Sequence, residues 1–127
     1  MAQTERAPAR KDAKLPADLQ RTIELAQDRK GTDMLLMDLR GLSNSTDYFL
    51  LINGTSDTHV RSIADHIIDE LKKEGMKPDH VEGVRSGRWV LLDFIDFVVH
   101  VFHPTAREFY RLEGLWGDAP AIPIEMA

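Results

Sequence analysis

Tyr48-Phe49-Leu50-Leu51-Ile52-Asn53-Gly54-Thr55-Ser56 is a short run of aromatic and branched residues ending in a polar turn, and it reads as a strand that feeds a helix. The helix follows at once: Val60, Ile63, Ala64, Ile67, Ile68 and Leu71 recur at i, i+3, i+4, i+7, i+8 and i+11, one apolar stripe at a 3.6-residue period. Ser56 or Asp57 can cap its start by accepting backbone N–H bonds, Lys72 and Lys73 suit the negative end of its dipole, and Gly75 can take the left-handed conformation that closes it. A strand and an amphipathic helix joined this way predict an α/β chain.

Reading outward from this unit gives the remaining elements. Pro16, Leu19, Ile23 and Ala26 predict a first helix that stops at Gly31, and Met34-Leu35-Leu36-Met37 between Gly31 and Gly41 predicts a buried strand. Downstream, His80 to Val84, Trp89 to Phe94 and Phe97 to Phe102 predict a meander, and a last helix is expected from about Thr105 to Glu113. Gly114, Gly117, Pro120 and Pro123 are then expected to break regular structure. The expected domain is a mixed five-stranded sheet flanked by helices over residues 15–120, between a flexible tail at 1–14 and a C-terminal tail at 121–127.

Alternation sorts the Trp89–Phe102 hairpin into two faces. With Ile95-Asp96 as a two-residue loop, Phe94 lies opposite Phe97, Leu92 opposite Val99 and Val90 opposite Val101, an apolar face for the helices. The other face carries Trp89, Leu91, Asp93, Val98, His100 and Phe102. Trp89 reads either as a covered core residue or as a contact residue; Asp93 and His100 argue for exposure, because burying them requires dedicated partners.

With 127 residues, 43% hydrophobic and 29% charged, the chain has the size and balance of one globular domain. Twenty-one acids against sixteen bases give a net charge of −5, which argues against broad or sequence-specific nucleic-acid binding and favours a basic protein partner. No cysteine is present, which excludes thiolate metal sites and a cysteine nucleophile. No stretch approaches the ~20 apolar residues that span a bilayer, and a cytoplasmic location is expected. No metal site or cofactor is expected: His100 and His103 point to opposite faces of a strand, and His59 and His66 alone on a helix supply too few ligands.

An enzymatic alternative rests on Gly54-Thr55-Ser56, which is similar to the turn that holds triphosphate in nucleotidyltransferases, since a helix N-terminus favours anions. That chemistry requires converging carboxylates, commonly Asp-x-Asp on one strand face, and the chain contains no such pair.

A longer ordered series is present: Asp47-Tyr48-Phe49, Gly54-Thr55-Ser56, His59-Val60, Ile63-Ala64-Asp65, Glu82-Gly83, Trp89-Val90-Leu91-Leu92-Asp93, Asp96, Val99-His100-Val101-Phe102, Arg107-Glu108-Phe109-Tyr110, Leu112-Glu113, Leu115-Trp116 and Asp118-Ala119-Pro120. In these motifs the chain resembles the ribosomal silencing factor family, the Iojap-related proteins, over about Leu19 to Pro120. The resemblance implies a nucleotidyltransferase-like fold without known catalysis. It further implies docking on the large ribosomal subunit at ribosomal protein L-fourteen, steric exclusion of the small subunit and lower translation when nutrients are scarce; a homodimer of the free protein is left open. The residues expected at the protein-docking surface are Glu82, Trp89, Leu91, Asp93, Asp96, His100 and Tyr110. Two positions depart from the family's usual pattern: Ile95, where Gly is common at the turn, and Asn53, where Cys is common.

Overall fold

The computed structural model describes residues 15–110 and 119–124, with the backbone alone at 108–110. The elements, in chain order, are α1 (Ala17–Asp28), β1 (Thr32–Asp38), β2 (Tyr48–Asn53), α2 (Asp57–Lys73), β3 (His80–Glu82), β4 (Trp89–Asp93), β5 (Phe97–Phe102), α3 (Pro104–Tyr110) and β6 (Ala121–Pro123). The strands form one mixed sheet in the order β3-β4-β5-β2-β1-β6. β2 and β5 run parallel at its centre, and every other neighbouring pair is antiparallel.

The inner face of the sheet, with Leu36, Leu50, Ile52, Val90, Leu92, Val99 and Val101, packs against Leu19, Ile23 and Ala26 of α1 and Val60, Ile63, Ala64, Ile67 and Leu71 of α2. Burying the four larger apolar side chains of α2, Val60, Ile63, Ile67 and Leu71, is worth on the order of 10 kcal/mol at ~1.5–3 kcal/mol each, which fixes the helix far more firmly than its propensity does. Its ends are closed as the sequence predicts. Ser56 Oγ accepts from His59 N. At the other end Gly75 N donates to Leu71's neighbour Lys72, and Met76 N reaches back to the Leu71 carbonyl at 2.9 Å, with Gly75 at φ +89°, a Schellman closure.

Three expectations require correction. The sheet has six strands, because Ala121–Pro123, expected in the C-terminal tail, pairs antiparallel with β1. Proline is excluded from a central strand by its missing N–H but is tolerated at an edge; Pro120 supplies only its carbonyl, to Asp38 N at 2.9 Å, and Ile124 N donates to Met34 O at 3.0 Å. Secondly, the residue with positive φ at the end of α1 is Lys30, at +62°, while Gly31 serves close packing: a Cβ there would lie 2.6 Å from Ile52 Cγ2. Thirdly, β3 stops at Glu82 because Gly83 turns at φ +85° and passes so near the Trp89 carbonyl that a side chain would overlap it. The last helix begins one residue early, at Pro104, which is favoured at a helix start; its expected end at Glu113 and the 1–14 tail lie outside the described residues.

The hairpin register is as expected, with Val90 opposite Val101 and Leu92 opposite Val99. Ile95 accommodates it at φ +75°: Asp96 N donates to Phe94 O and Phe94 N to Phe97 O, both at 2.9 Å, while Asp93 Oδ1 takes the Ile95 N–H at 2.8 Å. A branched side chain at positive φ costs about 1–2 kcal/mol, and a glycine loses part of that advantage to unfolded-state entropy. Ile95→Gly is therefore expected to stabilise the fold by about 1 kcal/mol, raising the melting midpoint by a few degrees in calorimetry.

Candidate functional site

Two regions bear on function: the turn between β2 and α2, and the outer face of the sheet with the loops at its ends. In the turn, Thr55 N donates to His59 Nδ1 at 2.8 Å, so His59 Nε2 carries the proton and donates to Arg29 O at 2.7 Å. His59 N is taken by Ser56 Oγ at 3.1 Å, and Thr58 N by Asp57 Oδ1 at 3.0 Å. Three of the N–H groups that could hold a phosphate, those of Thr55, Thr58 and His59, are thus taken by the chain's own side chains, and a carboxylate sits among them. Gly54 is required here by space, since a Cβ would come within 2.9 Å of Val60 N. Among the described residues no three His, Asp or Glu side chains converge as metal ligands would. His66 lines a broad, open recess of about 730 Å³ with Arg29, Asp65, Asp69 and Lys73, a surface of mixed charge.

The outer face is organised around His100. Parallel pairing sets His100 beside Leu51, antiparallel pairing sets it beside Leu91, and the residue is only 3% exposed. The expectation that His100 is exposed is therefore corrected. Phe49 meets its ring edge-on at 4.6 Å between centroids, Trp89 lies across it at 5.8 Å, and Phe102 stacks on Trp89 at 5.3 Å. Local alternation could not reveal this enclosure, because it depends on β2 arriving as the neighbour of β5. Trp89 Nε1 donates to His100 Nδ1 at 3.0 Å, which places the remaining proton on Nε2, an atom with no hydrogen-bond partner. Burial pushes the imidazole down to about 4, since a charged ring here would lose its hydration without a compensating carboxylate.

The other expected docking residues are distributed around this centre. Trp89, Leu91 and Asp93 are half-buried, while Glu82 and Asp96 are exposed. Tyr110 lies in α3, and its side chain is outside the described residues. The register explains the grouping: His80 pairs with Asp93 and Glu82 with Leu91, so the outer surface continues from β5 to the edge strand. There His80 Nε2 meets Glu82 Oε2 at 2.5 Å, and that carboxylate raises the histidine's pKa.

Strand direction adds two acids the docking prediction omitted. Asp47 N donates to Asp96 O at 3.0 Å and Asp79 N to Asp93 O at 2.7 Å, so Asp47, Asp79, Asp93 and Asp96 gather at one end of the sheet. Their signal in the sequence is position alone: Asp47, Asp79 and Asp96 each stand just before a strand, and Asp93 is the last residue of one. Asp38 is near this end but does not add free charge: it is buried and bidentate to Arg40, through Nε at 3.0 Å and Nη2 at 2.8 Å.

Comparison with known proteins agrees over nearly the whole chain. A family model described as ribosomal silencing factor during starvation matches residues 12–127. The ribosomal silencing factor RsfS of Bacillus subtilis (strain 168) is 44% identical over 98 residues, covering 77% of this chain and 83% of that protein. A crystal structure of a Chromobacterium violaceum protein superimposes with a TM-score of 0.78 at 33% identity, covering 83% of this chain and 88% of that one. The chloroplast protein Iojap of maize is 34% identical over 101 residues, which span 80% of this chain and 43% of that longer protein.

The buried imidazole has a thermodynamic consequence. Unfolded, His100 titrates near 6.5; folded, near 4. The unfolded state therefore binds more protons between those values, so stability is complete above about pH 6.5 and declines as pH falls toward 4. Its slope from this group approaches ~1.4 kcal/mol per pH unit. Denaturant titrations from pH 7 to pH 4.5 are expected to show that decline, and His100→Phe is expected to flatten it.

Proposed function

The chain belongs to the ribosomal silencing factor family, and on that premise we propose that it docks on ribosomal protein L-fourteen of the large ribosomal subunit and sterically blocks joining of the small subunit. Translation would be repressed in this way when nutrients are limiting. The observation that carries the reading is the family match across residues 12–127. Asp47, Asp79, Asp93 and Asp96 at one end of the sheet support it, because a basic ribosomal protein is steered and oriented by opposing charge. The docking surface in this proposal comprises Glu82, Trp89, Leu91, Asp93, Asp96 and Tyr110, with His100 beneath Trp89 as its support rather than as a contact.

The roles of Trp89 and His100 are coupled. A half-buried Trp whose indole N–H is satisfied from below presents a rigid aromatic surface at low entropic cost, as interface anchors commonly do. Nothing in this mechanism involves bond making: the protein acts by occupying space. The enzymatic alternative, a nucleotidyltransferase-like nucleotide-binding protein, gains little from the β2–α2 turn, where the N–H groups of Thr55, Thr58 and His59 are taken by side chains of the chain itself. A cytoplasmic location is part of the same reading; self-association of the free chain is left open by it and is measurable by sedimentation of the purified chain.

Light scattering of purified subunits tests the proposal. Excess protein is expected to suppress association of large with small subunits, and undiminished joining would sink the proposal. Within it, Asp47→Lys with Asp96→Lys is expected to weaken large-subunit binding by tenfold or more with little change in melting temperature, both residues being exposed. Trp89→Ala is expected to reduce binding and stability together, because it removes both the outer aromatic surface and the partner of buried His100.

A further inference from the structure

The cations of this chain fall into two groups. Arg40 is paired with Asp38 at 2.8 Å, Arg21 with Glu74 at 2.9 Å and Lys73 with Glu70 at 2.9 Å, while Arg107 is engaged by the Asp33 carbonyl and, at 3.0 Å, by Asn53 Oδ1. Arg85 and Arg88, like Arg29, Lys30, Lys72 and Lys77, are exposed and make no ion pair among the described residues; what sets the two arginines apart is the turn that carries them. They occupy the turn between β3 and β4, at the sheet end opposite Asp93 and Asp96.

That turn is built to a fixed shape. Gly83 and Gly87 adopt φ +85° and +70°. Gly87 N donates to Gly83 O at 3.1 Å, Ser86 Oγ donates to Gly83 O at 3.3 Å, and Arg88 N donates to Ser86 Oγ at 3.2 Å. Arg61 of α2 holds it from beneath, its Nη1 donating to Arg85 O at 3.1 Å. The fit is close enough that a Cβ at Gly87 would lie 2.7 Å from Asp57 Cβ and 2.8 Å from Arg61 Nη1. Two arginines on the turn and a third, Arg61, beneath it are thus brought together beside Asp57 and Glu82, in a protein of net charge −5.

Like charges gathered on a rigid turn repel one another, and an external anion relieves that repulsion. Guanidinium forks match the geometry of phosphate oxygens, and prior ordering of the backbone lowers the entropic cost of using them. We propose that the Arg85–Arg88 turn, supported by Arg61, receives the phosphate backbone of RNA, independently of base sequence. The proposal rests on the reading of the chain as a large-subunit factor. β4 separates Arg88 from Asp93 by five residue steps, roughly 17 Å at ~3.3 Å each, so one molecule can set its acidic end on a basic protein and its arginine turn on adjoining RNA.

The test uses the full chain, Arg85→Ala with Arg88→Ala, and, as a charge-matched control, Lys72→Ala with Lys77→Ala, two exposed lysines on another surface. Binding is measured against intact large subunits and against protein-free large-subunit RNA over a range of salt, with melting temperature as the check on folding. The arginine variant is expected to lose tenfold or more in affinity for both, and its slope of log affinity against log salt is expected to fall by about 1.4, from ~0.7 per phosphate contact. The lysine variant is expected to match the unsubstituted chain. Equal losses in the two variants, or no loss in the arginine variant, would overturn the proposal. A loss on subunits without a loss on RNA would assign the turn to an acidic protein surface and also overturn it. If the unsubstituted chain binds no subunits, the underlying reading of the chain fails, and the RNA arm still decides the arginine turn.

Discussion

All six residues of β5, Phe97 to Phe102, are buried, and this two-sided burial is the constraint on which the rest of the structure depends. A strand covered on both faces has no exposed row on which to place charge. Its inner row, Phe97, Val99 and Val101, lies in the core beneath the helices. Its outer row includes His100, which can remain there only as a neutral ring with its nearest donor supplied by Trp89. The parallel bond between β5 and β2 joins the first half of the chain to the C-terminal meander. The same constraint therefore ties the fold together and keeps the outer surface over His100 aromatic.

Charge excluded from the central strands collects where strands end. Because β2 and β5 are parallel and β4 is antiparallel to both in the central layer, the starts of β2 and β5 share an edge with the end of β4. Asp47, Asp93 and Asp96 meet there. The other end of β4 begins just after Arg88, and the end of β5 is fixed to it by His103 N donating to Arg88 O at 2.9 Å. An uneven distribution of charge, acidic at one end and carrying Arg85 and Arg88 at the other, is thus a product of topology rather than of composition. Composition alone, with a net charge of −5, describes only the sum.

What was legible in the sequence was whatever local spacing determines. The stripe of α2, its Ser56 cap, its Gly75 closure and the hairpin register all depend on residues within a few turns or one tight loop, and each is present in the fold. Three features were not legible because their causes lie far away in sequence. Pro120 and Pro123 read as breakers until an open edge on β1 is available to pair with Ala121–Pro123. His100 reads as a surface residue until Phe49 arrives from β2, a strand far earlier in the chain. Gly31 reads as a stop signal, whereas Lys30 carries the left-handed turn and Gly31 makes room for Ile52. In each case the residue type keeps its local preference, and a neighbour distant in sequence decides its role.

Ile95 shows what this architecture tolerates and why. The turn it occupies is held by Phe94 and Phe97, whose rings stack at 5.1 Å, by the Asp93 carboxylate on the Ile95 N–H and by the bond from Asp47 N to Asp96 O. With its flanks so determined, the loop has no inexpensive alternative geometry, and the strain of a branched residue at positive φ is borne locally instead of shifting the register. A slip of one residue would exchange Val90, Leu92, Val99 and Val101 with the outer row, presenting His100 to the hydrophobic core and leaving apolar side chains at the surface. Against that loss, a local strain of about 1–2 kcal/mol is the smaller effect, so the side chain at 95 is exposed and poorly accommodated while the faces on either side of it remain in place.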